Sequence, residues 1–204
     1  MGKTIAAEKL TNEKFLNLYK VHAETESGDQ IGYLVASRAK EVDGLKAINH
    51  DDKVDAVAIC ALTEDDKMVL IRQYRYAIGS YIYELPAGLV DDGESVCDAA
   101  IREMHEETGL TLTSYKFRGL VTFINSECES ELMCVFTADE YAGELIECDE
   151  GELCWVDKAM VPNLPAWEGD QVFLDLLLSG EKRFFSVKLR YEGDRLVEKK
   201  IYLY

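Results

Sequence analysis

Glu103, Glu106 and Glu107 stand at i, i+3 and i+4 in a stretch, Asp91 to Gly109, whose apolar residues recur with helical period. On a helix that spacing brings three carboxylates together along one edge. Like charges so placed repel, and a helix selected for stability alone would avoid them. Hard oxygen donors on a rigid scaffold suit Mg²⁺ or Mn²⁺, ions that keep water in their shell and bridge to phosphate oxygens. A solvated acidic face on an acidic protein would show the same run. The formal net charge of −17 over 204 residues opposes binding to nucleic-acid polymers and anionic membranes. It would repel a small diphosphate as well, unless a local cation reversed the field. A bound divalent ion meets that demand.

The elements that must hold these groups can be read from pattern. Ser95 and Asp98 form a capping-box-like start with Asp in place of Glu, and Gly109 is a natural terminator. Val96, Cys97, Ala100, Ile101 and Met104 form the expected buried stripe. Strand-like segments at 14–22 and 31–38 read as a hairpin, followed by a charged loop from Lys40 to Lys53. A second hairpin spans 54–62 and 67–74. Further strands are expected at about 115–124, 131–138 and 152–157, with a short helix from Asp170 to Ser179. A last hairpin turns at Gly193-Asp194. Without a regular βαβ rhythm, the class is α+β with a mixed sheet.

Hydrophobic content of 48% and charged content of 30% are ordinary for a globular chain. Six cysteines show no CxxC spacing and mostly lie in apolar runs, which predicts buried free thiols in a reducing compartment. Met1-Gly2 lacks the Ser or Thr at position six that myristoylation wants, since Ala6 stands there. No apolar run reaches the roughly 20 residues of a membrane span. A cytoplasmic protein is expected.

Taken whole, Gly88, five residues, Glu94, seven residues, Arg102-Glu103, Met104, His105, Glu106-Glu107, Thr108, Gly109 and Leu110 resemble the signature of the Nudix hydrolases at every fixed position. The resemblance implies a Nudix α/β/α sandwich with a mixed central sheet. It implies Mg²⁺ (or Mn²⁺) held by Glu103, Glu106, Glu107 and the Ala87 carbonyl, with Gly88, Glu94 and Arg102 supporting the loop and ligands from behind. Glu103 and Glu107 would be catalytic, and a general base outside the helix would complete the site. In the acidic run Glu147 to Glu152, Glu150 is the first choice for that base, with Glu152 and Glu147 behind it. His105 falls at a variable position and reads as an exposed helical histidine.

Two branches of the family are resembled. Roughly residues 14–157 are similar to ADP-ribose pyrophosphatases, through Val69 to Arg75 and Glu84-Leu85-Pro86-Ala87-Gly88. That likeness implies Arg72 and Arg75 on phosphate and Glu84 on a ribose or adenine group. It also implies a homodimer built through residues 1–48, a β-hairpin extension ahead of the hydrolase domain at 49–204. Arg72 and Arg75 would equally pass for outward-facing strand residues. The chain departs from that branch at Ser126, where a proline is usual.

Roughly residues 155–204 resemble oxidised-purine nucleoside triphosphatases, which implies Trp167 stacking on a base and Asp170 reading its edge. A core Trp167 and a helix-capping Asp170 would give the same sequence. The expected substrate is therefore ADP-ribose or a related nucleoside diphosphate sugar, with an 8-oxo-dGTP-like triphosphate as the alternative. A nucleotide-binding module without catalysis is a third reading, opposed by the complete set of glutamates.

Overall fold

The computed structural model describes residues 3–50, 53–125 and 128–204. Ser126 and the Met1-Gly2 pair lie outside the described residues. Two compact units form: one takes residues 1–53, 123–130 and 190–197, the other 54–122, 131–189 and 198–204.

In the first unit β1 (Lys3–Lys9), β2 (Asn17–Glu24) and β3 (Gln30–Ser37) make one sheet in that order. The expected hairpin is therefore a three-stranded sheet. The added strand pairs with β2 from Lys3↔Glu24 to Lys9↔Tyr19, with an irregularity at Thr4/Ala6. Its sequence, KTIAAEK, carries little apolar signal. Tyr19, Val21 and Leu45 form this unit's core, and the Tyr19 hydroxyl donates to Ala39 O at 2.6 Å. Leu45 precedes α1 (Lys46–Asn49), a single turn.

In the second unit β4 (Ala56–Ala61) runs parallel to β9 (Glu131–Ala142) and antiparallel to β7 (Ala87–Leu89), so the sheet is mixed. These strands sit in a six-stranded order β12-β11-β8-β9-β4-β7, where β8 is Thr111–Asn125, β11 Phe185–Glu192 and β12 Arg195–Leu203. Val57 to Ala61 are all buried, as expected of a strand covered on both faces. A smaller sheet places β5 (Lys67–Arg75) between β10 (Glu152–Asp157) and β6 (Ser80–Glu84).

Helix α2 (Val96–Thr108) lays Ala99, Ala100 and Met104 on Val57 and Ile59 of β4 and on Cys134 and Phe136 of β9. Burial of each larger side chain contributes roughly 1.5–3 kcal/mol. The second helix, α3 (Glu168–Leu178), buries Val172, Phe173, Leu174 and Leu177. This is the α+β architecture that the sequence pattern predicts. Among the described residues, no helix is long and apolar enough to cross a membrane.

The cysteines are all free, but only Cys60 and Cys134 are buried, and Cys128 is exposed. Burial pushes the Cys60 thiol up to about 12 and the Cys134 thiol to about 11.

Candidate active site

Helix α2 starts where its side chains dictate. Ser95 is extended at φ −81°, and its hydroxyl accepts the Asp98 N–H at 3.1 Å. The start expected at Ser95 is the one observed, and Asp91 to Glu94 ahead of it form a turn, with Glu94 N–H on Asp91 O at 3.0 Å. At the other end Gly109 is left-handed at φ 80° and donates to His105 O. The buried stripe is also rotated from the expected one. Ala99, Ala100, Met104, Glu107 and Thr108 are buried, whereas Val96, Cys97 and Ile101 pack at the core's edge.

That rotation puts Glu107 into the buried face, only 8% exposed. Its Oε2 accepts the Ala87 N–H at 3.0 Å. Burial, then the negative charges of Glu150, Glu103 and Glu84, push its carboxyl up to about 8. Glu103 is half-buried, and burial raises its carboxyl against the pull of Arg102. Glu106 is mostly exposed. Gly88 of β7 lies directly beneath Glu103, since a Cβ there would sit 2.1 Å from its Cδ.

Arg102 organises the loop. It grips Glu94 with Nε and Nη2 at 2.9 and 2.8 Å, and Nη2 also donates to Leu89 O. Its Nη1 donates to Glu103 at 2.7 Å and to Glu106 at 3.2 Å. Glu94 accepts the Asp91 N–H as well, and Arg102 and that amide hold its carboxyl down at about 2. A lowered folded value means the pair supports the fold above the ordinary 4.5 and loses that support as pH falls through about 2. Glu94→Gln is therefore expected to lower Tm at pH 7. The gap from the parent should close between pH 4.5 and 2 in thermal melts; a gap constant with pH would refute this.

The two faces of β5 separate the acidic residues of the late loop. Residues 73 and 75 share one face of the strand and 72 the other. Gln73 Nε2 donates to Glu150 Oε2 at 3.2 Å. Arg75 makes two bonds to Glu84, Nε to Oε2 at 2.8 Å and Nη2 to Oε1 at 2.7 Å. Arg72 instead meets Glu152 at 3.3 Å and lies over the Tyr81 ring at 4.1 Å. Arg72 and Arg75 thus lie on opposite faces of β5, each guanidinium engaged by its own carboxylate. The charge of Glu150 is felt at Glu103 and Glu107, whereas Glu152 pairs with Arg72, and Glu147, Glu150 and Glu152 are all exposed.

Trp167, at the N-cap of α3, donates Nε1–H to Glu84 Oε1 at 3.1 Å. Asp170 does not cap that helix, which has no side-chain cap. Burial, reinforced by Glu84 and opposed by Arg75, pushes its carboxyl up to about 7. His105 is exposed and meets Thr111 Oγ1. Sequence reading missed Gln73 and Gly151. Strand alternation could have paired Gln73 with Arg75 on one face, whereas nothing local signals the contact at Gly151.

Around Glu84, Glu103, Glu106, Glu107, Glu150 and Asp170, Arg75 pairs with Glu84, and Arg102 with Glu103 and Glu106. Among the described residues, no three carboxylate, imidazole or thiolate groups close around a single point as a metal nest, and Arg102 draws Glu103 and Glu106 to itself. The donor set is nonetheless all hard oxygen, and Glu107 is a buried carboxyl in a negative field. Divalent cations fit that chemistry.

The NUDIX domain family model matches residues 52–177. The chain is 38% identical over 130 residues to the uncharacterized Nudix hydrolase YvcI of Bacillus subtilis (strain 168), 61% of this chain and 80% of that protein. It is 33% identical over 153 residues to an ADP-ribose pyrophosphatase of the same organism, 74% of each. To an oxidized purine nucleoside triphosphate hydrolase of Danio rerio it is 35% identical over 136 residues, 65% of this chain and 85% of that one. A MutT protein structure from Bacillus halodurans matches with TM-score 0.65 at 24% identity, covering 72% of this chain and 95% of that one. An ADP compounds hydrolase structure matches at 0.63 and 23%, covering 88% and 96%. At such identities the structural likeness is one of fold.

Proposed function

Because the chain belongs to the NUDIX domain family and is a hydrolase of it, we propose that it cleaves the diphosphate linkage of ADP-ribose or a related nucleoside diphosphate sugar. One observation carries this reading: Glu150 of the late loop stands on the Gln73 face of β5, in the electrostatic field of Glu103 and Glu107. The diphosphosugar branch that the chain resembles often carries its base in such a loop. The ADP-ribose pyrophosphatase relative spans 74% of the chain.

Glu103, Glu106 and Glu107 would hold Mg²⁺ or Mn²⁺, with the Ala87 carbonyl a further ligand by resemblance. Held there, the ions would supply charge neutralisation for the diphosphate oxygens and a more acidic water. The chain's own residues do the rest. Ala87 N–H fixes one Glu107 oxygen. Arg102 and Glu94 brace the loop that Gly88 begins. Glu150 accepts the proton of the attacking water. Arg75, committed to Glu84, supplies positive charge beside the site, and Glu84 orients the Trp167 indole. Residues 1–48 are read as the element through which two copies associate, and the cytoplasm as the compartment, in keeping with free thiols.

A second reading has its own support. Trp167 held by Glu84, with Asp170 raised to about 7 nearby, offers an aromatic face and a carboxyl able to donate, suited to an oxidised purine. The Danio rerio relative points the same way. The two readings separate on a panel of ADP-ribose, nucleotide sugars, dinucleoside polyphosphates and 8-oxo-dGTP with Mg²⁺, the products resolved by ion exchange. AMP and ribose 5-phosphate are expected, with kcat/KM for ADP-ribose about tenfold or more above 8-oxo-dGTP. A nucleoside monophosphate and pyrophosphate from 8-oxo-dGTP at the higher kcat/KM would transfer the assignment to the second reading.

A further inference from the structure

The segment between β9 and β10 reaches the site without regular structure, yet it must present Glu150 to a cluster of like charges. Glu150 is itself exposed, and its charge is felt as repulsion at Glu107 and Glu103. Two contacts fix where its side chain stands. Gly151 brings the chain hard against β5: a Cβ there would lie 2.5 Å from Arg72 O and 3.0 Å from its carbonyl carbon. Backbone atoms cannot yield as a flexible side chain can, so glycine permits this approach. The very next residue opens the β10 ladder at Glu152↔Arg72. Gln73 then supplies an amide N–H to Glu150 Oε2 at 3.2 Å.

The residue type matters. A lysine or arginine at 73 would hold the carboxylate more firmly and would also make it a poorer base by stabilising its charged form. A neutral amide orients it without adding a charge. Resting on the reading of Glu150 as the base, we infer that Gln73 is a positioning residue that holds Glu150 in the acidic site, with Gly151 setting the height of the loop.

The test is a double-mutant cycle in the full chain with Mg²⁺ and ADP-ribose, or 8-oxo-dGTP where the panel selects it. Gln73→Met keeps length and removes the donor. It is expected to lower kcat about tenfold with KM within about twofold. Gln73→Asn, one methylene shorter but still a donor, should recover part of that loss, which a packing role would not give. Glu150→Gln should lower kcat about a hundredfold. In the Glu150→Gln background, Gln73→Met should change kcat by less than about twofold.

A parental kcat in Gln73→Met, with Glu150→Gln impaired, overturns the positioning role and leaves the base standing. A full tenfold loss in both backgrounds also overturns it, because Gln73 then acts by another route. A parental kcat in Glu150→Gln removes the base assignment itself, and the role of Gln73 with it.

Discussion

Glu107→Gln is expected to lower kcat/KM about a thousandfold while leaving the metal-free protein at least as heat-stable as the parent. The two halves have one cause. Glu107 is a buried carboxyl raised to about 8 by burial and by neighbouring negative charge, so its ionised form is a burden on the fold when no cation is present. Glutamine keeps the shape, can still accept the Ala87 N–H through its carbonyl oxygen, and removes the charge. On the proposed reading, what is lost is a ligand to the ions that stabilise the diphosphate transition state. About 4 kcal/mol of such stabilisation corresponds to that factor. Activity at saturating Mg²⁺ and Tm in EDTA are the two measurements. A variant as active as the parent removes Glu107 from the metal set, and one that melts far lower makes the residue structural. Active sites commonly trade stability for function in this direction.

Much of this site was legible because its signals are local. The start at Ser95, the stop at Gly109 and the i, i+3, i+4 glutamates all lie within one helix, where spacing translates directly into geometry. The proposed late-loop base was harder, since Glu147, Glu150 and Glu152 are equivalent until the strand faces are known. Once β10 pairs with β5 at Glu152↔Arg72, Glu152 falls with Arg72 on one face and Glu150 reaches Gln73 on the other. The same alternation sends Arg72 and Arg75 to opposite faces, as their spacing of three already implies. The bond from Trp167 to Glu84 joins residues far apart in sequence, and neither residue type announces it.

The fold divides along similar lines. The long apolar strands, helix α2 and the terminal hairpin are periodic enough to read. The strands that were missed, β1, β6 and β7, are short or poor in apolar residues, and only pairing partners define them. β7 is the instructive case: three residues, Ala87–Leu89, held by β4 through Val57↔Gly88. Its role is to bring backbone under the carboxylates, which a sequence shows only as a glycine.

Gly88→Ala should therefore separate function from stability more cleanly than any core substitution. The backbone at Gly88 is not in the left-handed region, so alanine meets no conformational strain there. In a strand, alanine for glycine restricts the unfolded chain and adds about 0.4–1 kcal/mol of stability. The added methyl would sit 2.1 Å from Glu103 Cδ and 2.2 Å from both carboxylate oxygens. Those atoms are the end of a flexible side chain, so Glu103 swings aside and the fold survives. The displaced group is one of the proposed metal ligands, and a misplacement of about 1 Å in such a site costs roughly a hundredfold in rate. Tm is expected to hold or rise while kcat/KM falls by about that factor. Gly180→Ala supplies the opposite case. Gly180 is left-handed at φ 79° with open space around its would-be Cβ, so alanine there should cost about 1 kcal/mol of stability and leave kcat/KM near the parent's. Parental activity in Gly88→Ala would mean that the seat of Glu103 over β7 is not what the chemistry requires, and Glu106 and Glu107 would have to carry the ions without it.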